Sequence, residues 1–324
     1  MQPPPPHWPP QPDNNPRLEI DDNSWMIGQV IISRHASKPS GPCWDDGKGA
    51  FFTISEAPNP KPPTRPISDD CPIKDWYAWE PSPYGRWEIG NAHLAINPDK
   101  GAPEHVTLEV LSKRSLSFQI PKVYYHAVHD ELYYVVHSTL PGKTILDAWP
   151  ETDDEALKLQ WVDKIVDAYV ELSAWRGETI SGVNGHFLFE WWLGKDPFSY
   201  PDPYKPELLL QSTEEIGLDN SKLVFTHNHL SPLSFTVNED GELLGIYLWH
   251  DAGFLPKDWI ATKARFNTFL DASPRAQAWS RQDKNEWESC IHNALEKRGF
   301  REYFEKNGLW RVETMREWRE SGRF

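Results

Sequence analysis

The pattern of apolar and polar positions changes at short intervals along residues 223–256, LVFTHNHLSPLSFTVNEDGELLGIYLWHDAGFLP. Leu223–Thr226 is a short apolar run, and residues 227–234 form a polar loop broken by Pro232. Phe235–Val237 and residues 243–248 are β-type runs around the turn Asn238-Glu239-Asp240-Gly241. The pattern predicts strand, loop, strand, turn, strand, loop. A buried hairpin with a polar loop at each end holds reacting groups rigidly.

The same reading applied elsewhere predicts strands over residues 25–34, 50–55, 76–80, 86–96 and 133–136. It predicts helices over 104–115, 257–272, 283–299 and 309–320. Thr152-Asp153-Asp154-Glu155 reads as a capping box opening a long helix to residue 176, with Ala156, Leu159, Val162, Val166, Tyr169 and Val170 as its buried stripe. Residues 1–16 are proline-rich and read as an extended or disordered tail. Residues 57–75 are rich in proline and charge and read as an irregular connection, while Gly41, Gly47 and Gly49 with Asp45-Asp46 read as a hairpin loop. Residues 177–211 are irregular and aromatic, and Trp191 and Trp192 are candidates to line a substrate pocket; packing between helices is the competing reading.

Composition narrows the function classes. The 324 residues suffice for one two-lobed unit or two modest domains, and the net charge of −15 argues against nucleic acid and anionic membranes as partners. Three widely spaced cysteines, Cys43, Cys71 and Cys290, suit a reducing compartment and form no metal spacing. No apolar run reaches membrane-spanning length and no signal-peptide core is visible, so a cytoplasmic protein is expected. Seventeen tryptophans are unusual for this length; some must pack the core, and a surplus also suits an aromatic-lined pocket.

The 223–256 stretch resembles the aminoglycoside phosphotransferase and choline kinase-like family. Its pattern there, roughly HGDLxPxNIL, a hairpin and GIIDWExAGxxP, matches at His227, Leu230, Pro232, Gly245, Ile246, Trp249, Ala252, Gly253 and Pro256. The segments IPKVYYHAVHDELYYVVHS and GKTILDAW resemble the same family's interlobe region. The resemblance implies an α+β, two-lobed protein-kinase-like fold, with a small sheet-rich lobe over residues 17–138 and a mainly helical lobe over 139–324. It also implies where the chemistry has changed. The family's catalytic aspartate falls on His229, its magnesium-binding asparagine on Ser234, and its second magnesium ligand on Leu248. Leucine cannot ligate a metal, and magnesium wants oxygen ligands. The phosphate-gripping lysine is missing from the strand at residues 93–96, which leaves Glu109 as a surface charge. By the same resemblance His227 holds the loop through a hydrogen bond, and His137 lies at the adenine position.

The candidate catalytic residues are therefore His229, as acid–base group, with His227 and Asp251. The candidate substrate-binding residues are His137, Ser234, Leu248, Trp249, His250, Trp191 and Trp192. His227-x-His229 with His250 or Asp251 also offers ligands suited to zinc or another transition metal, although the spacing fits no fixed metal motif, and the expectation is no metal and no cofactor. A Ser/His/Asp hydrolase built from Ser231 or Ser234, His229 and Asp251 is a further arrangement. Three functions compete. The first is a cofactor-free isomerase or cyclase of secondary metabolism, acting on a small aromatic or polyketide-like molecule. The second is a non-catalytic pseudokinase-like binding or scaffold protein. The third is a residual small-molecule phosphotransferase.

Overall fold

A computed structural model describes residues 17–78, 85–98, 103–195, 204–266, 270, 276 and 278–320. The proline-rich tail lies outside the described residues. The chain divides into two compact units, Met1–Asp99 with Lys122–Thr139, and Lys100–Pro121 with Leu140–Phe324. The secondary structure is α+β.

The first unit holds two five-stranded antiparallel sheets. One contains β1 (Arg17–Asp21), β2 (Ser24–Ile27), β3 (Val30–His35), β4 (Trp44–Asp45) and β5 (Phe51–Glu56), in the order β1-β2-β3-β5-β4. The other contains β6 (Ile73–Ala78), β7 (Gly85–Ile89), β8 (Ala92–Pro98), β9 (Val123–His129) and β10 (Leu132–Ser138), in the order β6-β7-β8-β10-β9. Alternate side chains of both sheets enter one core, with Trp25, Ile32 and Phe52 from the first sheet and Trp87, Leu94 and Val136 from the second. The Trp44 indole donates to the Ile89 carbonyl at 2.6 Å, which satisfies a polar atom within that core.

Two predicted single strands are hairpins. Residues 25–34 and 86–96 each fold back at a two-residue turn, Gly28-Gln29 between paired Ile27 and Val30, and Gly90-Asn91 between paired Ile89 and Ala92. Gly28 and Gly90 have φ of 61° and 58°, the left-handed backbone that such turns require. A single glycine inside an apolar run thus conceals a reversal.

The second unit carries α1 (Glu104–Leu111), β11 (Lys143–Thr144), α2 (Ile145–Ala148), α3 (Glu155–Leu172), α4 (Pro206–Ile216), β12 (Leu223–Thr226), β13 (Phe235–Val237), β14 (Leu243–Ile246), β15 (Gly253–Pro256), α5 (Trp259–Lys263), α6 (Arg281–Lys297) and α7 (Phe304–Glu320). Strands β11-β13-β14 form one small sheet and β12-β15 another, both antiparallel. The α3 cap is Asp154, whose carboxylate accepts from the Ala156 and Leu157 amides, rather than a box begun at Thr152. Its buried face is Trp161, Val162, Ile165, Val166, Tyr169 and Leu172, while Leu159 and Val170 are 50% and 44% exposed. The stripe's phase is set by Trp161 and Ile165, which a reading of smaller residues alone misplaces. The helix predicted over 257–272 is described only as the short α5. Much of the tryptophan surplus goes into cores, since Trp149, Trp249 and Trp259 are fully buried. Among the described residues, no helix is long and apolar enough to cross a membrane.

Strand β15 was expected to be loop, because Gly253 and Pro256 bound only two apolar residues. Tertiary pairing supplies what propensity lacks. β12 lies against β15, and the Phe254 amide donates to the Ser181 carbonyl at 2.8 Å. A Cβ on Gly253 would stand 2.5 Å from that same carbonyl oxygen. Gly253→Ala is expected to lower stability by about 1–3 kcal/mol through the forced backbone shift. Gly308→Ala, in the interior of α7 with nothing within 4 Å of its would-be Cβ, is expected to raise stability by about 0.5–1 kcal/mol. Urea denaturation of the two variants measures both signs.

Candidate functional site

Strand β12 leads directly into His227, Asn228 and His229, all buried. The next residues close into a single 3-10 turn, Pro232–Ser234, capped by the Ser231 hydroxyl, which accepts from the Leu233 amide. Across the hairpin, β14 ends at Ile246, two residues before the predicted end. Leu248 adopts left-handed backbone, φ 66° and ψ 54°, which breaks the strand and starts a second 3-10 turn, Trp249–Asp251. The two turns bring His229, His250 and Asp251 together, with one ligating atom from each lying within 4.8 Å of the others.

The hydrogen bonds fix which nitrogen of His227 and of His229 carries the proton. His227 Nε2 lies 2.6 Å from the Tyr247 carbonyl oxygen, which can only accept. Nε2 therefore holds the hydrogen, and Nδ1 accepts from the Tyr169 hydroxyl at 3.2 Å. Both nitrogens are occupied, so His227 belongs to the architecture rather than to the catalytic set in which it was a candidate. Burial lowers its pKa to about 4, against the weaker opposing pull of the Tyr247 carbonyl.

His229 has the opposite tautomer. The Ser234 hydroxyl donates its one hydrogen to the His229 carbonyl at 2.9 Å. The same oxygen lies 3.0 Å from His229 Nδ1 and must there accept. Nδ1 carries the proton and Nε2 the lone pair. Burial holds His229 well below the usual histidine range, reinforced by the charge of His250 and opposed by Asp251. The same bonds exclude Ser234 as a nucleophile activated by His229, since its hydrogen points away from the imidazole. Ser234 is fully buried and positions His229 instead of facing a substrate.

His250 and Asp251 form a pair, Nε2 to Oδ2 at 3.3 Å, with side chains 31% and 13% exposed. The site meets solvent at this edge. Burial raises the Asp251 pKa, but the charge of His250 and its hydrogen bond outweigh that and hold the carboxyl ionised.

Two buried carboxylates brace the loops. Glu104 of α1 accepts from the Trp249 amide at 3.0 Å. Glu190 is more heavily engaged. Its Oε2 accepts from Lys263 Nζ at 2.6 Å, Asn228 Nδ2 at 2.8 Å and Trp259 Nε1 at 3.2 Å. Its Oε1 accepts from the Trp192 amide at 3.1 Å. Asn228 has φ 58°, so the residue between the two histidines is held left-handed by this carboxylate. Sequence reading missed Glu190, Lys263, Glu104 and Asn228. Its one available signal was an isolated acid within the apolar run FLFEWWL.

The remaining candidates are not among the three clustered residues. Trp249 is fully buried, with its ring 4.6 Å from that of His227 and its Nε1 bonded to the Ile246 carbonyl at 2.8 Å. Leu248 is also buried. Both are core residues and offer no surface to a ligand. Trp192 stacks on Phe266 at 4.3 Å, and the Trp191 carbonyl accepts from Arg311 at 3.2 Å, which fits the packing reading. His137 belongs to the first unit, fully buried in β10, edge-on to His93. Glu109 is an exposed partner of Lys113 at 3.0 Å, as expected.

No protein-family model matches the chain, and no curated protein matches it. Among solved structures, it is similar to a thermostable mutant of aminoglycoside phosphotransferase APH(4)-Ia in ternary complex with AMP-PNP and hygromycin B. The identity is 15% over 77% of this chain and 92% of that one, with a TM-score of 0.41. It is also similar to aminoglycoside-3'-phosphotransferase of type VIII, at 13% identity over 75% of this chain and 93% of that one, with a TM-score of 0.44. Likeness at this level carries no inference about activity.

Two outcomes are expected. The depressed pKa of His227 means that the unfolded chain binds the extra proton first as pH falls below the ordinary histidine value of 6.5. Stability is therefore full above that value and is lost as pH falls from 6.5 toward 4, by on the order of 3 kcal/mol from this residue. Denaturant melts at pH 7.5, 6 and 5 read the slope, and His227→Gln is expected to flatten it. Glu190→Ala leaves the Lys263 ammonium buried without its anion and is expected to cost about 3–5 kcal/mol. Glu190→Leu combined with Lys263→Met is expected to recover in the same assay only the part owed to the unpaired ammonium, since Asn228, Trp259 and the Trp192 amide still lose their acceptor.

Proposed function

We propose that the chain is an acid–base enzyme in which His229 moves the proton, a cofactor-free isomerase or cyclase for a small aromatic or polyketide-like molecule. The observation that carries the reading is the Ser234 clamp, which commits Nδ1–H and leaves the basic lone pair on Nε2. Burial favours the neutral form of His229, which has a lone pair to receive a proton. The ionised Asp251 supplies the negative charge that favours the imidazolium once it forms.

Addition of a phenol to an enone illustrates the chemistry. Nε2 takes the phenolic proton, and the phenolate oxygen forms a bond to the β-carbon of the enone. The resulting enolate takes a proton at its α-carbon, and the imidazolium returns to the neutral form. Atoms and charge balance without a co-reactant, and catalysis reduces to an oriented substrate and a proton carrier. The substrate class rests on the aromatic richness of the chain.

A second reading, a binding protein without catalysis, is favoured by the depth of His229, which is 4% exposed. A thermal-shift panel of phenolic and polyketide ligands, with ATP–magnesium alongside, comes first. A ligand at a hundred times its dissociation constant stabilises by about 2.7 kcal/mol. Turnover of the ligand so found is expected to fall about 10²- to 10⁴-fold in His229→Ala with binding retained. Full activity in that variant sinks the catalytic reading. Binding without any turnover in the wild type selects the second.

A further inference from the structure

We propose that His229, His250 and Asp251 form a binding site for a divalent transition-metal ion of the zinc class, with a solvent molecule completing the coordination. Two features of the site point to it, and neither depends on the catalytic reading.

The first is geometry. With bonds of about 2.0–2.1 Å, two ligands on one edge of a tetrahedron stand about 3.3 Å apart. His250 Nε2 and Asp251 Oδ2 are separated by 3.3 Å. The third ligating atom, on His229, lies within 4.8 Å of both. The second is the tautomer. Histidines that hold metals give their other ring N–H to an oxygen that fixes the ring. Ser234 does this for His229, and its own hydrogen is held by the His229 carbonyl.

The donor set also decides the class of ion. Two imidazoles and one carboxylate suit zinc, cobalt or iron(II) and not magnesium, which prefers oxygen. His227, the other member of the H-x-H pair, is excluded because both of its nitrogens are bonded within the protein. The pair that an H-x-H reading suggests is therefore replaced by one histidine from each of the two loops. The ion would occupy the Nε2 lone pair that proton transfer needs, so metal binding and acid–base turnover exclude one another at this site.

The test uses the full chain, stripped with a chelator and titrated with cobalt(II) under reducing conditions. Expected are one equivalent bound, the visible absorption of four- or five-coordinate cobalt, and displacement of that signal by zinc. His250→Ala and Asp251→Asn change the part-exposed edge of the site, so folding is preserved. Each is expected to weaken the cobalt signal at least 10-fold, while His186→Ala leaves it unchanged. Absence of stoichiometric cobalt binding, or wild-type binding in both edge variants, overturns the proposal. The readout is spectroscopic, so loss of turnover in His229→Ala bears on the catalytic reading alone.

Discussion

The buried carboxylate of Glu190 is the constraint on which the site depends. It is taken wholly out of water and receives four donors, from Lys263, Asn228, Trp259 and the Trp192 amide. Isolated charge at such depth is prohibitive, so the pair with Lys263 is a condition for the rest to form. Through these bonds one side chain ties the aromatic segment at residues 187–193 to α5 and to the loop after β12. Buried ion pairs of this kind contribute little net stability against an apolar substitute, but they specify one arrangement. Here the arrangement specified is the path of the backbone between His227 and His229.

That path is strained in two places. Asn228 and Leu248 both have positive φ, on opposite sides of the hairpin. Asparagine tolerates the conformation, while a buried leucine adopts it only when its surroundings demand it. The demand at Leu248 comes from Glu104, which takes the next amide, and from the His227 ring, which holds the Tyr247 carbonyl. Each strained residue thus sits beside a buried carboxylate and a buried histidine. The consequence is that His229 and His250 face one another across the loops, with ring centroids 5.5 Å apart.

His227 and His229 illustrate how neighbours assign roles to identical side chains. A carbonyl opposite Nε2 turns His227 into a strut, since its remaining nitrogen accepts from Tyr169. A serine that has already spent its hydrogen on the His229 backbone leaves that residue with its lone pair on Nε2. Proton transfer and metal ligation both use that lone pair, which is why one geometry supports both proposals and why they compete.

The sequence by itself determined the strands Leu223–Thr226 and Phe235–Val237, the turn at Asn238–Gly241 and most of the helices, because apolar periodicity and turn residues act over a few neighbours; the candidacy of His229 came from the family resemblance of its loop. It misjudged residues 25–34 and 86–96, where one glycine reverses the chain inside an apolar run, and it missed β15, whose pairing partner is some thirty residues away. Trp249 and Ser234 carried no mark that distinguished a packed core group from a ligand contact. Only the tertiary structure decided that His250 and Asp251 join His229 while His227 is withdrawn, and that Glu190 governs the loop. Those outcomes rest on hydrogen bonds between residues far apart in the chain, which local pattern does not encode.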